Sequence, residues 1–356
     1  MTEKIPLVSV IIPMYNAEKF ISQTLESLLR QTMTDFEIVV VDDCSTDNSV
    51  EVVKNFAEKF NGRLHLINLP ENSGTPEIPR NLAIKFARGK YIAFLDSDDL
   101  FTTTALEEFT TLAEKYQADV INTNEFYTFK DKEFSTEELL KTKNHRVVTC
   151  RKANTTLLKN VEVLSENLAE RVQLWLNNGF HWATWATFVR RDFLIVNQIE
   201  FPIMMPVSGD IITNFACLCL AKKLLCVPNV NYIYREHKDS IAHNSADLEK
   251  YFRRILKDLN GGFNALNKIM NRVEFFDEHP DYRYAVLNWF FNRVLLDARK
   301  LRAAYSRIHT FQLNELVQKE FHPDDAAFSA FLFNKVNIQR LQILRLQAEL
   351  RKFQQQ

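Results

Sequence analysis

The chain of 356 residues holds only seven glycines, about 2% against a usual share near 7%, and 28 phenylalanines. No G-x-G occurs, which excludes the G-x-G-x-x-G dinucleotide fingerprint and the G-x-x-x-x-G-K-S/T phosphate loop. Net charge is −1, but it is uneven: 18 basic against 13 acidic side chains from Ala246 onward, and 26 against 32 before it. A tail surplus of that size hints at an anionic partner but is too weak to point to nucleic acid, so none is expected.

The five cysteines (Cys44, Cys150, Cys217, Cys219, Cys226) are odd in number and lack a C-x-x-C, so reduced, buried thiols are expected. No 18-residue apolar stretch occurs, and Met1–Pro6 runs into a strand-like segment without a signal-peptide core. A cytoplasmic protein is the expectation.

In chain order, Leu7–Pro13 is a β-branched run, and Phe20, Leu25, Leu28 and Leu29 recur at helical spacing within Ala17–Gln31. Phe36–Val41 is a second buried strand, and Ser45 or Asp47 is placed to cap a helix carrying Val50, Val53 and Phe56. A third strand spans Arg63–Leu69, and Thr75-Pro76 opens a helix with proline in its first turn. Lys90–Leu95, Thr102–Tyr116 and Ala118–Thr123 continue as strand, helix, strand. This alternation predicts β-α-β units, a mostly parallel sheet, and a ligand site at the carboxyl ends of its strands.

Residues 130–180 read less clearly, with an amphipathic segment near Val161–Leu176. Short strand-like pieces then surround a helix at Asp210–Ala221, and the chain is helical after Ala246. Leu287, Phe291, Val294, Ala298, Leu301 and Tyr305 form one apolar stripe. A heptad-like seam through Leu332, Val336, Gln339, Ile343, Leu346, Leu350 and Phe353 forms another. Three parts follow: 1–125, 126–245 and a helical region 246–356. Residues 332–353 are a candidate oligomerisation helix. For 246–310 packing on the catalytic domain ranks first, then self-association, then docking on an anionic membrane face.

The strand ends collect a consistent set of residues: Pro13-Met14-Tyr15-Asn16, Asp42-Asp43, Glu71-Asn72-Ser73-Gly74 with Pro79-Arg80-Asn81, and Asp96-Ser97-Asp98-Asp99. Three carboxylates within four residues repel one another unless a cation or protons hold them. Oxygen ligands select Mg²⁺ or Mn²⁺, which would neutralise a diphosphate without a glycine cradle. One aspartate alone would suffice to cap the next helix.

The segment Val8–Val53 followed by FLDSDD resembles the family-2 inverting glycosyltransferases with the GT-A fold, closely over about 120 residues and more weakly to about residue 243. NSGTPEIPRN resembles members that decorate bacterial surface glycans such as teichoic acid. The resemblance implies a Rossmann-like α/β GT-A fold, with a nucleotide-sugar half in 1–125 and an acceptor half in 126–245. It implies that Pro13 and Tyr15 border the uracil, that Asp43 bonds the base, and that Arg80 lies near the nucleotide. Asp96 or Asp98 would face the ribose or sugar, and Asp98 or Asp99 would hold Mn²⁺ or Mg²⁺.

The implied catalytic base is Asp210, in Ser208-Gly209-Asp210, where relatives show Glu-Asp or Gly-Asp; a helix cap is its structural alternative. Tyr232–Ser240 resembles a Tyr-x-x-Arg-x-His-x-x-Ser pattern, giving His237 to the metal or diphosphate with Arg235 helping. His181, Trp182 and Trp185 fall in the acceptor half, where a Trp face stacks on a sugar or simply packs in the core.

The reaction so implied is inverting transfer of one sugar from a UDP-sugar to a hydroxyl of a glycan, lipid-linked glycan or polyol-phosphate, at the inner face of the membrane. A nucleotidylyltransferase would need a glycine-rich loop, and a glycoside hydrolase would not explain the nucleotide-like rim. Polysaccharide synthases carry a Q-x-x-R-W motif, absent here. The remaining alternative is an inactive nucleotide-sugar or glycan-binding scaffold.

Overall fold

The computed structural model describes residues 5–130, 146–149, 160–203, 205, 208–237 and 248–294, with scattered positions between 327 and 345. Two compact units emerge, Met1–Ala246 and Asp247–Gln356.

In the first unit, β1 (Val8–Met14), β2 (Phe36–Asp42), β3 (Leu64–Asn68) and β4 (Tyr91–Phe94) alternate with α1 (Ile21–Leu29), α2 (Ser49–Ala57) and α3 (Glu77–Phe86). The strands lie in the order β3-β2-β1-β4, all parallel. Their carboxyl ends therefore open on one rim. Every residue of β1 and β2 is buried, as the mostly apolar runs require of central parallel strands, and the polar Ser9 and Glu37 bond each other at 2.6 Å. Ile21, Leu25 and Leu28 place one face of α1 in the core below them.

The sheet continues past β4 through β10 (Thr187–Arg190), β6 (Val120–Thr123), β11 (Leu224–Val227) and β9 (Glu162–Val163). Strand β10 runs antiparallel to both neighbours, and β11 is parallel to β6. Tyr91 of β4 and Phe109 of α4 (Ala105–Tyr116) each stack on Phe188 of β10, with ring centroids 5.2 Å apart. Where the chain enters β4, Gly89 presses on β1: a Cβ there would stand 2.5 Å from the Ser9 backbone nitrogen.

The expected elements of the first 125 residues are present with small shifts at their ends. Helix α2 begins after Asn48, and Asp47 acts from one residue earlier, accepting the Ser49 N–H at 3.0 Å. Pro76 occupies the position before α3 rather than its first turn. The amphipathic stretch 161–176 divides into β9 and α5 (Leu168–Leu176), because Asn167 caps the helix by accepting the Ala169 N–H.

A second sheet, not foreseen from the sequence, lies in the order β5 (Leu100–Phe101), β12 (Tyr232–Glu236), β7 (Glu125–Lys130) and β8 (Arg146–Thr149). It ties the acidic loop after β4 to residues more than 130 positions later. Helices α6 (Arg191–Val196) and α7 (Gly209–Leu220) complete this unit; Trp175 of α5 packs on Phe215 of α7 at 5.0 Å.

The second unit contains α8 (Leu248–Met270), α9 (Phe275–Glu278) and α10 (Pro280–Val294). Ile255 and Leu259 of α8 pack against Phe291 and Val294 of α10. Phe291 and Val294 of the stripe beginning at Leu287 are thus spent inside this unit; Ala298, Leu301 and Tyr305 lie outside the described residues. So do Val336, Ile343, Leu346, Leu350 and Phe353 of the terminal seam. No helix among the described residues is long and apolar enough to cross a membrane. None of the described cysteines forms a disulfide; Cys217 and Cys226 are buried, Cys44 and Cys219 partly exposed.

Candidate active site

The ends of β1 and β2 are locked together at the rim. Asp43 donates its N–H to the Met14 carbonyl at 2.8 Å, and Asn16, in left-handed backbone at φ 48°, accepts the Thr46 N–H at 2.8 Å. The Asp43 carboxylate accepts the Ser73 N–H at 2.7 Å, and its carbonyl accepts from the Asn72 side chain at 2.8 Å. Pro13 is buried on β1, and Tyr15 is 50% exposed beside it. Pro13, Tyr15 and Asp43 therefore share one ledge.

The acidic loop after β4 resolves its own repulsion by giving each carboxylate a different partner. Asp96 accepts from Arg80 Nη2 at 2.8 Å. Asp98 Oδ2 lies 2.8 Å from His237 Nε2. Asp99 is 1% exposed, accepting the Tyr232 hydroxyl at 2.6 Å and the Arg235 N–H at 2.7 Å. Burial, with the charges of Asp98 and Asp96, pushes the Asp99 carboxyl well above the usual carboxylate range. Asp99 thus anchors the loop to the second sheet, and its assignment as a metal ligand gives way because its burial leaves the carboxylate no open side toward the rim. Asp96 is also raised, by burial first, against the pull of Arg80.

Arg235 is buried between the rings of Phe20 and Phe129, each 4.9 Å from its guanidinium carbon. Its Nε donates to the Asp98 carbonyl at 2.7 Å and Nη2 to Gln23 Oε1 at 2.6 Å. These contacts make it a brace for the acidic loop.

Asp210 stands in the first turn of α7, on the rim facing α3. Its Oδ1 accepts from Arg80 Nη1 at 2.8 Å, and its Oδ2 accepts the Thr184 N–H at 3.1 Å. Asn214 of α7 fixes the same turn by donating to the Trp182 carbonyl at 2.8 Å. Arg80 thereby joins the acidic loop to the expected base, across 16 and 130 residues of sequence. Burial works against its charge, but Asp210 and Asp96 outweigh it and hold the guanidinium firmly protonated.

His181 is 2% exposed; its Nδ1 accepts the Ala183 N–H at 3.0 Å, and its ring packs 4.7 Å from Trp185. Its expected role in meeting an acceptor is replaced by one in the core. Trp185 stacks on Tyr232 at 4.4 Å, while Trp182 remains partly exposed. Sequence reasoning passed over Glu77, Gln23 and Thr184. Only Glu77 left a signal, its three-residue spacing from Arg80 on one helix face.

A model of the family described as Glycosyl transferase family 2 matches residues 9–163. The Escherichia coli K12 glycosyltransferase YibD is 30% identical over 292 residues, covering 78% of this chain and 77% of its own. The poly(ribitol-phosphate) beta-N-acetylglucosaminyltransferase TarS of Staphylococcus aureus strain Mu50 is 29% identical over 298 residues, covering 81% of this chain and 46% of its own. A crystal structure of S. aureus TarS 1–349 in complex with UDP-GlcNAc aligns with a TM-score of 0.59 at 23% identity. That match covers 81% of this chain and 72% of the other.

The fold is GT-A-like, and the chain belongs to glycosyl transferase family 2. It spans about half the length of TarS.

The Asp98–His237 pair suits a divalent cation. A carboxylate oxygen and an imidazole nitrogen converge at the rim, and an octahedral ion bound with a diphosphate takes few protein ligands. Among the described residues no group of three such side chains gathers, so phosphate oxygens and water would supply the rest.

Proposed function

We propose that the chain is an inverting glycosyltransferase moving one sugar from a UDP-sugar to a hydroxyl of a polyol-phosphate or glycan acceptor. The observation that carries this reading is the buried Arg80, which holds Asp96 at the donor loop and Asp210 at the start of α7 in one cluster. An inactive binding scaffold accounts less well for two partly buried carboxylates fixed on one arginine. The polyol-phosphate acceptor is suggested by the name of TarS.

Pro13, Tyr15 and Asp43 form the ledge for the uracil, and Asp43 is presented by the Ser73 N–H. Asp96 faces the sugar side of the loop. Asp98 and His237 would hold Mn²⁺ or Mg²⁺, which when bound offsets the charge on the leaving diphosphate. Asp210 takes the proton from the acceptor hydroxyl as that oxygen attacks the anomeric carbon. Arg80 and the Thr184 N–H fix the carboxylate's direction meanwhile. One base and one displacement invert the configuration.

Residues 1–125 serve the donor and 126–245 the acceptor, with Trp182 offering its partly exposed ring. The same reading places the enzyme in the cytoplasm, at the inner membrane face, and pairs it through 332–353.

UDP release from a panel of UDP-sugars with poly(ribitol-phosphate) acceptor tests the reading. Turnover with at least one donor, lost on chelation and restored by Mn²⁺ or Mg²⁺, is expected. UDP binding with no turnover on any donor would favour the scaffold.

A further inference from the structure

The first residue of α3, Glu77, lies on the same helix face as Arg80 and reaches the start of α7. Position 209 is glycine, and a Cβ there would stand 2.6 Å from Glu77 Oε1 and 3.1 Å from its Cδ. The Glu77 carboxyl thus fills the space a side chain at 209 would take, one residue before Asp210. It is 2% exposed, and its Oε2 has no hydrogen-bond partner. A neutral carboxyl tolerates such a place far better than an ionised one.

The charged groups facing Glu77 are Arg80 from its own helix and Asp210 from α7, with Asp96 behind Arg80. Both terminal nitrogens of Arg80 are already committed to those two aspartates. Burial is the largest influence on Glu77; Arg80 opposes it, the Asp210 charge adds to it, and the nearby Thr75 hydroxyl and Glu77's own N–H pull weakly downward, so that on balance the carboxyl is pushed up to about 7.

We propose that Glu77 is a pH-sensitive positioning residue of the transfer reaction. Protonated, it leaves Arg80 shared between Asp96 and Asp210. Ionised, it becomes a third carboxylate on that arginine and draws it from the base. Gly209 is what admits it to this position. The proposal rests on the reading of Asp210 as the base.

Glu77→Gln keeps the shape and fixes the neutral state. In urea unfolding from pH 5.5 to 8.5, the wild type should lose stability relative to E77Q as pH rises to about 7, then run parallel to it. The sign follows from the folded chain holding the extra proton within that window. In turnover, wild-type kcat/KM should fall about tenfold on the alkaline side, the change that one unit of coupling carries, while E77Q stays flat. Gly209→Ala, by displacing the carboxyl, should also remove the alkaline fall.

Parallel stability curves for wild type and E77Q overturn the proposal. So does an unchanged alkaline limb in E77Q, or an equal loss of activity at every pH, which marks a packing role alone. If Asp210→Asn keeps full turnover, or the wild type turns over no donor, the underlying reading fails instead; the stability curves still decide whether Glu77 holds the proton.

Discussion

Arg80 is the side chain on which the site is organised, and its geometry is one that lysine cannot copy. Two terminal nitrogens meet two separate carboxylates at 2.8 Å each, within a buried setting. A lysine amine would reach one partner and leave the other charged and unpaired. Arg80→Lys is therefore expected to lower kcat/KM by about a hundredfold, given that breaking a buried pair costs several kcal/mol. Steady-state UDP release measures it, and a loss below threefold would show that the bridge is dispensable. At this scale the sequence was only partly legible. Asp96, Asp98 and Asp99 fall within four letters, and nothing in their order tells which turns to Arg80, to His237 or inward to Tyr232. The first direction comes from α3, which carries Arg80, and the other two from β12, whose pairing with β5 and β7 depends on segments far away.

Among the elements, the parallel strands were the most legible, because burial on both faces leaves mostly apolar runs in β1, β2 and β4. The second sheet was not, since β5 has two residues and no local pattern marks so short a strand. The spacing between elements is set as closely as the strands themselves. Gly89 meets the backbone of Val8 and Ser9, which cannot move aside as a flexible side chain could. Gly89→Ala should destabilise the fold by about 1–3 kcal/mol, the usual cost of overpacking. Urea unfolding detects this, and a change below about 0.5 kcal/mol, the range of ordinary surface substitutions, would mean that β4 can shift away from β1.

For the whole molecule, the topology explains why scattered motifs form one site. Parallel β3-β2-β1-β4 bring four loops to one rim, and α7 enters the same rim after β10 has turned antiparallel between β4 and β6. Glycine scarcity fits this arrangement: the phosphates would be met by Asp98, His237 and a cation in place of a glycine-lined backbone cradle. The central claim is that Asp210 takes the acceptor's proton. Its most direct test is turnover and UDP affinity of Asp210→Asn, which keeps the shape and removes the base. The account predicts a loss of kcat of about two to four orders of magnitude with UDP still bound as in the wild type. Turnover within threefold of wild type would contradict it.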